Sequence, residues 1–153
     1  LIDAVAVFET PLSWLPWWEG SAGASALESA ADPEAAAERF MRRLVGDDRW
    51  DRLPAATRDA RRSEGPAMIG ELDDLRAGAP WSPDCIEVPV LVMYGEHGQP
   101  HHRRGAVHLD ELLPDAELEM VPGARHFGPN THPDDVAERI VSFIDRRVRS
   151  ACA

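Results

Sequence analysis

Val88-Pro89-Val90-Leu91-Val92-Met93-Tyr94-Gly95 is a nearly unbroken apolar run that stops on glycine. A run of this length, rich in branched residues, suits a strand covered on both faces, as strands of parallel sheets are. Leu1 to Phe8 reads the same way and ends at Glu9-Thr10-Pro11. Downstream of Gly95 the pattern changes to a helix from about Arg103 to Leu113, with Ala106, Leu109, Leu112 and Leu113 on its apolar face and Pro114 after it. Ala116 to Val121 then alternates Leu118 and Met120 with Glu117 and Glu119, the period of a strand nearer a sheet edge. Pro122 to Pro129 is a loop. Pro133 opens the last helix, with Asp134 and Asp135 at its positive end and Val136, Ala137, Ile140, Val141 and Ile144 along one face.

Between the first two strands the chain is of another kind. Pro11-Leu12-Ser13-Trp14-Leu15-Pro16-Trp17-Trp18 holds three of the five tryptophans, and its prolines forbid a regular helix or a central strand. Gly20 to Ser29 is small and polar and reads as a flexible loop. Asp32-Pro33-Glu34 is a helix start, with a capping acid and a proline at the first helical position; Gly46 stops that helix. Pro54 to Ser63 and Pro66 to Ala77 make two more. Nothing from Thr10 to Pro83 resembles a strand. The order of strand, helical insertion, strand, helix, strand, helix predicts an α/β fold with a parallel sheet.

The 153 residues carry a net charge of −11, so counterion release from a phosphate backbone would not favour binding, and no nucleic-acid partner is expected. No apolar run approaches the roughly 18 residues that span a bilayer, and no membrane partner is expected. Every one of the 16 basic residues is arginine, which points to coding bias more than to function. Cys85 and Cys152 follow no metal or redox spacing, and the bland expectation is a reducing, cytoplasmic compartment. The chain begins without Met, and it is expected to start within a longer protein.

Four segments, in this order and spacing, resemble the C-terminal half of the α/β-hydrolase superfamily. Val88 to Glu96 is similar to its penultimate strand, and Leu112-Leu113-Pro114-Asp115-Ala116-Glu117 to the turn into its last strand. Val121-Pro122-Gly123-Ala124-Arg125-His126-Phe127 resembles the loop that delivers its catalytic histidine, and Phe8-Glu9-Thr10-Pro11-Leu12-Ser13-Trp14 the exit from the strand before the cap. The resemblance implies a core strand at 1–9, a helical cap or lid insertion at 10–83, and the C-terminal part of the core at 84–153. A half-sheet of this kind would leave a strand edge uncovered and is expected to be poorly stable alone.

The same resemblance implies that His126 is the general base. The acid is expected three residues after Gly95, but that position is Gly98. Some members place the acid after the earlier strand, which makes Glu9 the favoured substitute, with an acid outside this chain or none as the next alternative and Glu96 as the least favoured. The nucleophile, set in a G-x-S-x-G elbow in the family, is missing: Gly23-Ala24-Ser25-Ala26-Leu27 lacks the final glycine and a preceding strand, leaving Ser21 and Ser25 as loop serines. Trp14, Trp17, Trp18 and Phe127 are candidates to line an apolar substrate pocket, with ordinary packing as the competing reading for the tryptophans. His97, His101 and His102, with His108 beyond on the predicted helix, have no zinc-site spacing, and the cluster reads as a solvated loop, so neither metal nor cofactor is expected. The implied activity is hydrolysis of an ester or similar small apolar substrate by a nucleophile–His–acid triad, with the nucleophile outside this chain. The alternatives are an Asp nucleophile, giving dehalogenase-like or epoxide-hydrolase-like chemistry, a non-catalytic binding protein of the same fold, and a metal protein built on the histidine cluster.

Overall fold

A computed structural model describes residues 2–18 and 21–149. Leu1, Gly20 and Cys152 lie outside the described residues. The chain divides into two units, one made of Leu1–Pro11 with Trp81–Ala153 and the other of Leu12–Pro80.

The first unit holds three parallel strands, β1 (Val5–Phe8), β2 (Val90–Gly95) and β3 (Ala116–Val121), in that spatial order. Val5 pairs with Val90 and Phe8 with Met93, while Val90 pairs with Ala116 and Gly95 with Val121. β2 is therefore the central strand, and its near-continuous apolar run is buried at all positions but Tyr94. β1 is shorter than the apolar run that predicts it, and it forms an edge of this sheet. Ala6 faces solvent and Ile2, in the run but not the strand, is 69% exposed. An apolar run alone does not determine how many of its residues find a partner strand.

Helix α6 (Pro100–Leu112) packs on β2 and β3, and α7 (Gly128–Thr131) leads into α8 (Pro133–Ile144), which also packs on β3. The chain continues as a π-helical turn at Asp145–Arg149. Leu91, Met93, Val121, Ala124, Val136 and Phe143 form a buried core, with Ala4, Phe8 and Ile140 against it. α6 starts three residues earlier than its apolar periodicity suggests, because Pro100 takes the first helical turn, where its missing N–H costs nothing.

The second unit is helical: α1 (Ala22–Leu27), α2 (Pro33–Val45), α3 (Asp47–Asp51), α4 (Ala55–Ser63) and α5 (Gly65–Ala77). Two of these correct the sequence reading. Within the stretch that reads as a flexible loop, Ala22–Leu27 form α1, because the alanines favour helix and Ser21 caps it, accepting from the Ala24 N–H at 3.1 Å. Ser25 is a residue of that helix rather than a loop serine. α3 is one short turn, started by Asp47 and Asp48, and it carries the fully buried Trp50. Glu38 of α2 organises this unit, accepting from Arg42 Nε at 2.8 Å, Trp50 Nε1 at 3.1 Å and Arg62 Nε at 2.7 Å. Among the described residues, no helix is long and apolar enough to cross a membrane.

Candidate active site

Glu9 leaves β1 in the left-handed region, at φ 47°, while its N–H still donates to the Met93 carbonyl at 2.9 Å. A non-glycine residue there carries backbone strain, which persists only when its surroundings hold it. The effect of the turn is to place a carboxylate under the C-terminal ends of the strands. That carboxylate is completely buried.

His126 reaches the same point from the loop after β3. The loop is tied to the end of β2 by the His97 N–H on the Ala124 carbonyl (2.9 Å) and closed by the Gly128 N–H on the Arg125 carbonyl (2.7 Å). His126 Nδ1 lies 2.8 Å from Glu9 Oε2, and the Gly95 N–H donates to Oε1 at 3.0 Å. Burial alone would push the Glu9 carboxyl up, but contacts from His102, from His126 and from the Gly95 N–H outweigh it and bring it down to about 2. At neutral pH Glu9 is therefore an ionised acceptor, so a neutral His126 imidazole carries its proton on Nδ1 and its lone pair on Nε2. The imidazole is 41% exposed, so that second nitrogen belongs to a ring that solvent or substrate can reach.

The other acid candidate is used differently. Glu96 Oε2 accepts from the Gly123 N–H at 2.8 Å, clamping the start of the histidine loop to the end of β2. Phe127, 44% exposed, sits beside His126 with ring centroids 5.4 Å apart. Trp14, Trp17 and Trp18 belong to the helical unit, where Trp18 is buried and lies 5.9 Å from Trp17, ring to ring.

His102 is the residue that the sequence did not reveal as part of this cluster. The segment around His97 to His102, which reads as a solvated loop, instead places His101 and His102 in the first turn of α6, and His102 points inward with 12% of its side chain exposed. Its Nδ1 is 2.7 Å from Glu9 Oε2, and its ring stacks on His126 at 4.4 Å and 21°. The available signal was its place on the apolar stripe, four residues before Ala106 and seven before Leu109, in a helix opened by Pro100. Glu9, His102 and His126 bring three metal-type donor atoms within 4.8 Å of one another.

No protein-family model matches the chain. Carboxylesterase YbfK of Bacillus subtilis (strain 168) is 37% identical over 60 residues, which cover 39% of this chain and 20% of that protein. Among solved structures, a thermophilic esterase from Thermogutta terrifontis superposes with a TM-score of 0.57 at 16% identity, over 94% of this chain and 56% of that one. The 2-hydroxy-6-oxo-6-phenylhexa-2,4-dienoate hydrolase of Rhodococcus sp. strain RHA1 gives 0.56 at 19% identity, over 92% and 54%. The chain has the α/β-hydrolase fold. It spans a fifth of the curated relative and little more than half of these α/β-hydrolase-fold structures.

Proposed function

We propose that this chain supplies the acid and the histidine of a hydrolase triad, with Glu9 as acid and His126 as general base. The observation that carries the reading is the 2.8 Å contact between His126 Nδ1 and a buried, ionised Glu9 carboxylate. Such a pair holds the imidazole in one tautomer and compensates the charge it gains on taking a proton from a nucleophile. The names of the similar proteins, a carboxylesterase, an esterase and a dienoate hydrolase, support ester or related carbonyl substrates.

In this reading the nucleophile and the donors for the oxyanion come from residues outside this chain. The nucleophile, a serine, attacks the carbonyl carbon while His126 Nε2 takes its proton. The imidazolium then gives that proton to the leaving alkoxide; water, deprotonated by the same nitrogen, attacks the acyl carbon, and the imidazolium returns that proton to the serine oxygen as the acid product leaves.

The test starts with the coding DNA upstream of the Leu1 codon, where an in-frame strand followed by G-x-S-x-G is expected. The complete product should hydrolyse short-chain 4-nitrophenyl esters, and His126→Ala should lower kcat by roughly a hundredfold or more. Near-normal turnover in that variant would remove His126 from the mechanism. An Asp at the elbow would instead direct the same Glu9–His126 pair to activating water against an ester intermediate on the enzyme.

A further inference from the structure

His126 is not the only imidazole on the buried acid. His102 brings a second Nδ1 to the same Oε2, within ion-pair distance at 2.7 Å but not aligned as the 2.8 Å His126 hydrogen bond is, and lays its ring over the face of His126. We infer that His102 is a positioning residue, which uses its nitrogen to hold the Glu9 carboxylate in place for His126. This inference rests on the triad reading above.

The argument is geometric. Glu9 leaves a strained backbone and is buried, and among the described residues its carboxylate is faced by the Gly95 N–H from β2, His126 from the loop after β3, and His102 from α6. Gly95 takes Oε1, leaving Oε2 to the two histidines. His126 must stay free to gain and lose a proton and to shift toward substrate. His102 is held more firmly, by its place in the first turn of α6 and by the edge of His101, whose ring centroid is 4.3 Å away. A fixed nitrogen beside Oε2 keeps the negative charge where it is while His126 changes state. The stacked face adds a wall against rotation of the His126 ring out of line.

Three variants of the complete protein separate these possibilities. His102→Phe keeps a flat ring and removes the nitrogen, whereas His102→Asn keeps a nitrogen close to the Nδ1 position and removes the ring. His126→Ala tests the triad reading itself. Turnover of a 4-nitrophenyl ester gives kcat and KM, and titration of a 13C-labelled Glu9 carboxyl reports its ionisation directly. For His102→Phe, kcat should fall about tenfold or more with KM within about twofold of wild type, and the Glu9 midpoint should rise toward the ordinary carboxylate range. His102→Asn should stay within about threefold of wild type in kcat, with the Glu9 midpoint still low.

A His102→Phe variant with unchanged kcat and unchanged Glu9 midpoint would overturn the inference. So would a large loss in His102→Asn, since its nitrogen is retained. Should His102→Phe fail to fold, His102→Leu gives the same readings without the nitrogen. If His126→Ala leaves turnover intact, the triad reading fails instead, and the Glu9 titration still decides whether His102 holds the acid.

Discussion

The carboxylate of Glu9 fills the space beside Gly98: a Cβ at Gly98 would stand 2.2 Å from Glu9 Oε1 and 3.1 Å from the Gly95 carbonyl oxygen. Position 98 is where the resembled family commonly carries its acid. A side chain there and the Glu9 carboxylate compete for one volume, so the glycine at the end of β2 and the glutamate at the end of β1 belong together.

Gly98→Asp by itself should therefore be damaging. It forces a second carboxylate against a buried one, at a cost of about 2 kcal/mol or more, read as a lower denaturation midpoint. Combined with Glu9→Ala, the same substitution should recover stability and raise turnover about tenfold over Glu9→Ala alone. A double variant no better than Glu9→Ala would show that the two positions are not alternative seats for one acid.

Gly95 makes a similar demand on backbone. A Cβ there would meet the Ala124 carbonyl oxygen at 2.5 Å and its carbon at 2.8 Å, and backbone cannot swing aside as a side chain can. Gly95→Ala should cost about 1–3 kcal/mol and push away the loop that carries His126. In the complete protein kcat should fall with it; an unchanged melting temperature would mean that the loop yields freely.

In the helical unit, Glu38 joins α2 to α3 and α4 through Arg42, Trp50 and Arg62, and the two guanidinium groups lie 5.9 and 6.0 Å from the Trp50 ring centre. Glu38→Ala should cost about 1–3 kcal/mol, because it strands the N–H of a fully buried indole. Chemical denaturation followed by tryptophan fluorescence measures it. A change below a few tenths of a kcal/mol would assign the stability of this unit to apolar packing around Trp50 alone.

How much of this was legible in the sequence follows from distance along the chain. β2, β3 and α8 were readable because each carries its own period: an apolar run, an alternation, an apolar helical stripe. α1 was lost because small residues with a serine cap look like a linker, and the first turn of α6 because His101 and His102 add no apolar residue to its stripe. Glu9 and His126 were named from resemblance, and Glu9 by the gap at Gly98, although their contact spans 117 positions that no local pattern reports. His102 has no comparable gap to betray it. Its inward aim follows the apolar stripe of α6, one turn before Ala106 and two before Leu109, and becomes visible only once the helix is extended back to Pro100; the backbone strain at Glu9 has no sequence signature at all.

The depressed ionisation of Glu9 also predicts how stability depends on acid. Its carboxyl titrates near 2 in the folded protein against an ordinary value of 4.5, so the folded state prefers the charged form. The contribution is fully present above about pH 4.5, shrinks as pH falls, and is gone below about pH 2. A displacement of this size corresponds to about 3 kcal/mol. Glu9→Gln preserves the shape and removes the titration, so the difference in unfolding free energy between wild type and variant should be largest at pH 5 and should narrow through pH 3.5 to pH 2.5. Urea denaturation at those three values measures it directly, and taking the difference cancels the other carboxylates that protonate over the same range. A difference that stayed constant with pH would show that Glu9 is held by shape rather than by charge. In that case the histidines would not be compensating a buried anion, and the electrostatic basis for a working Glu9–His126 pair would be lost.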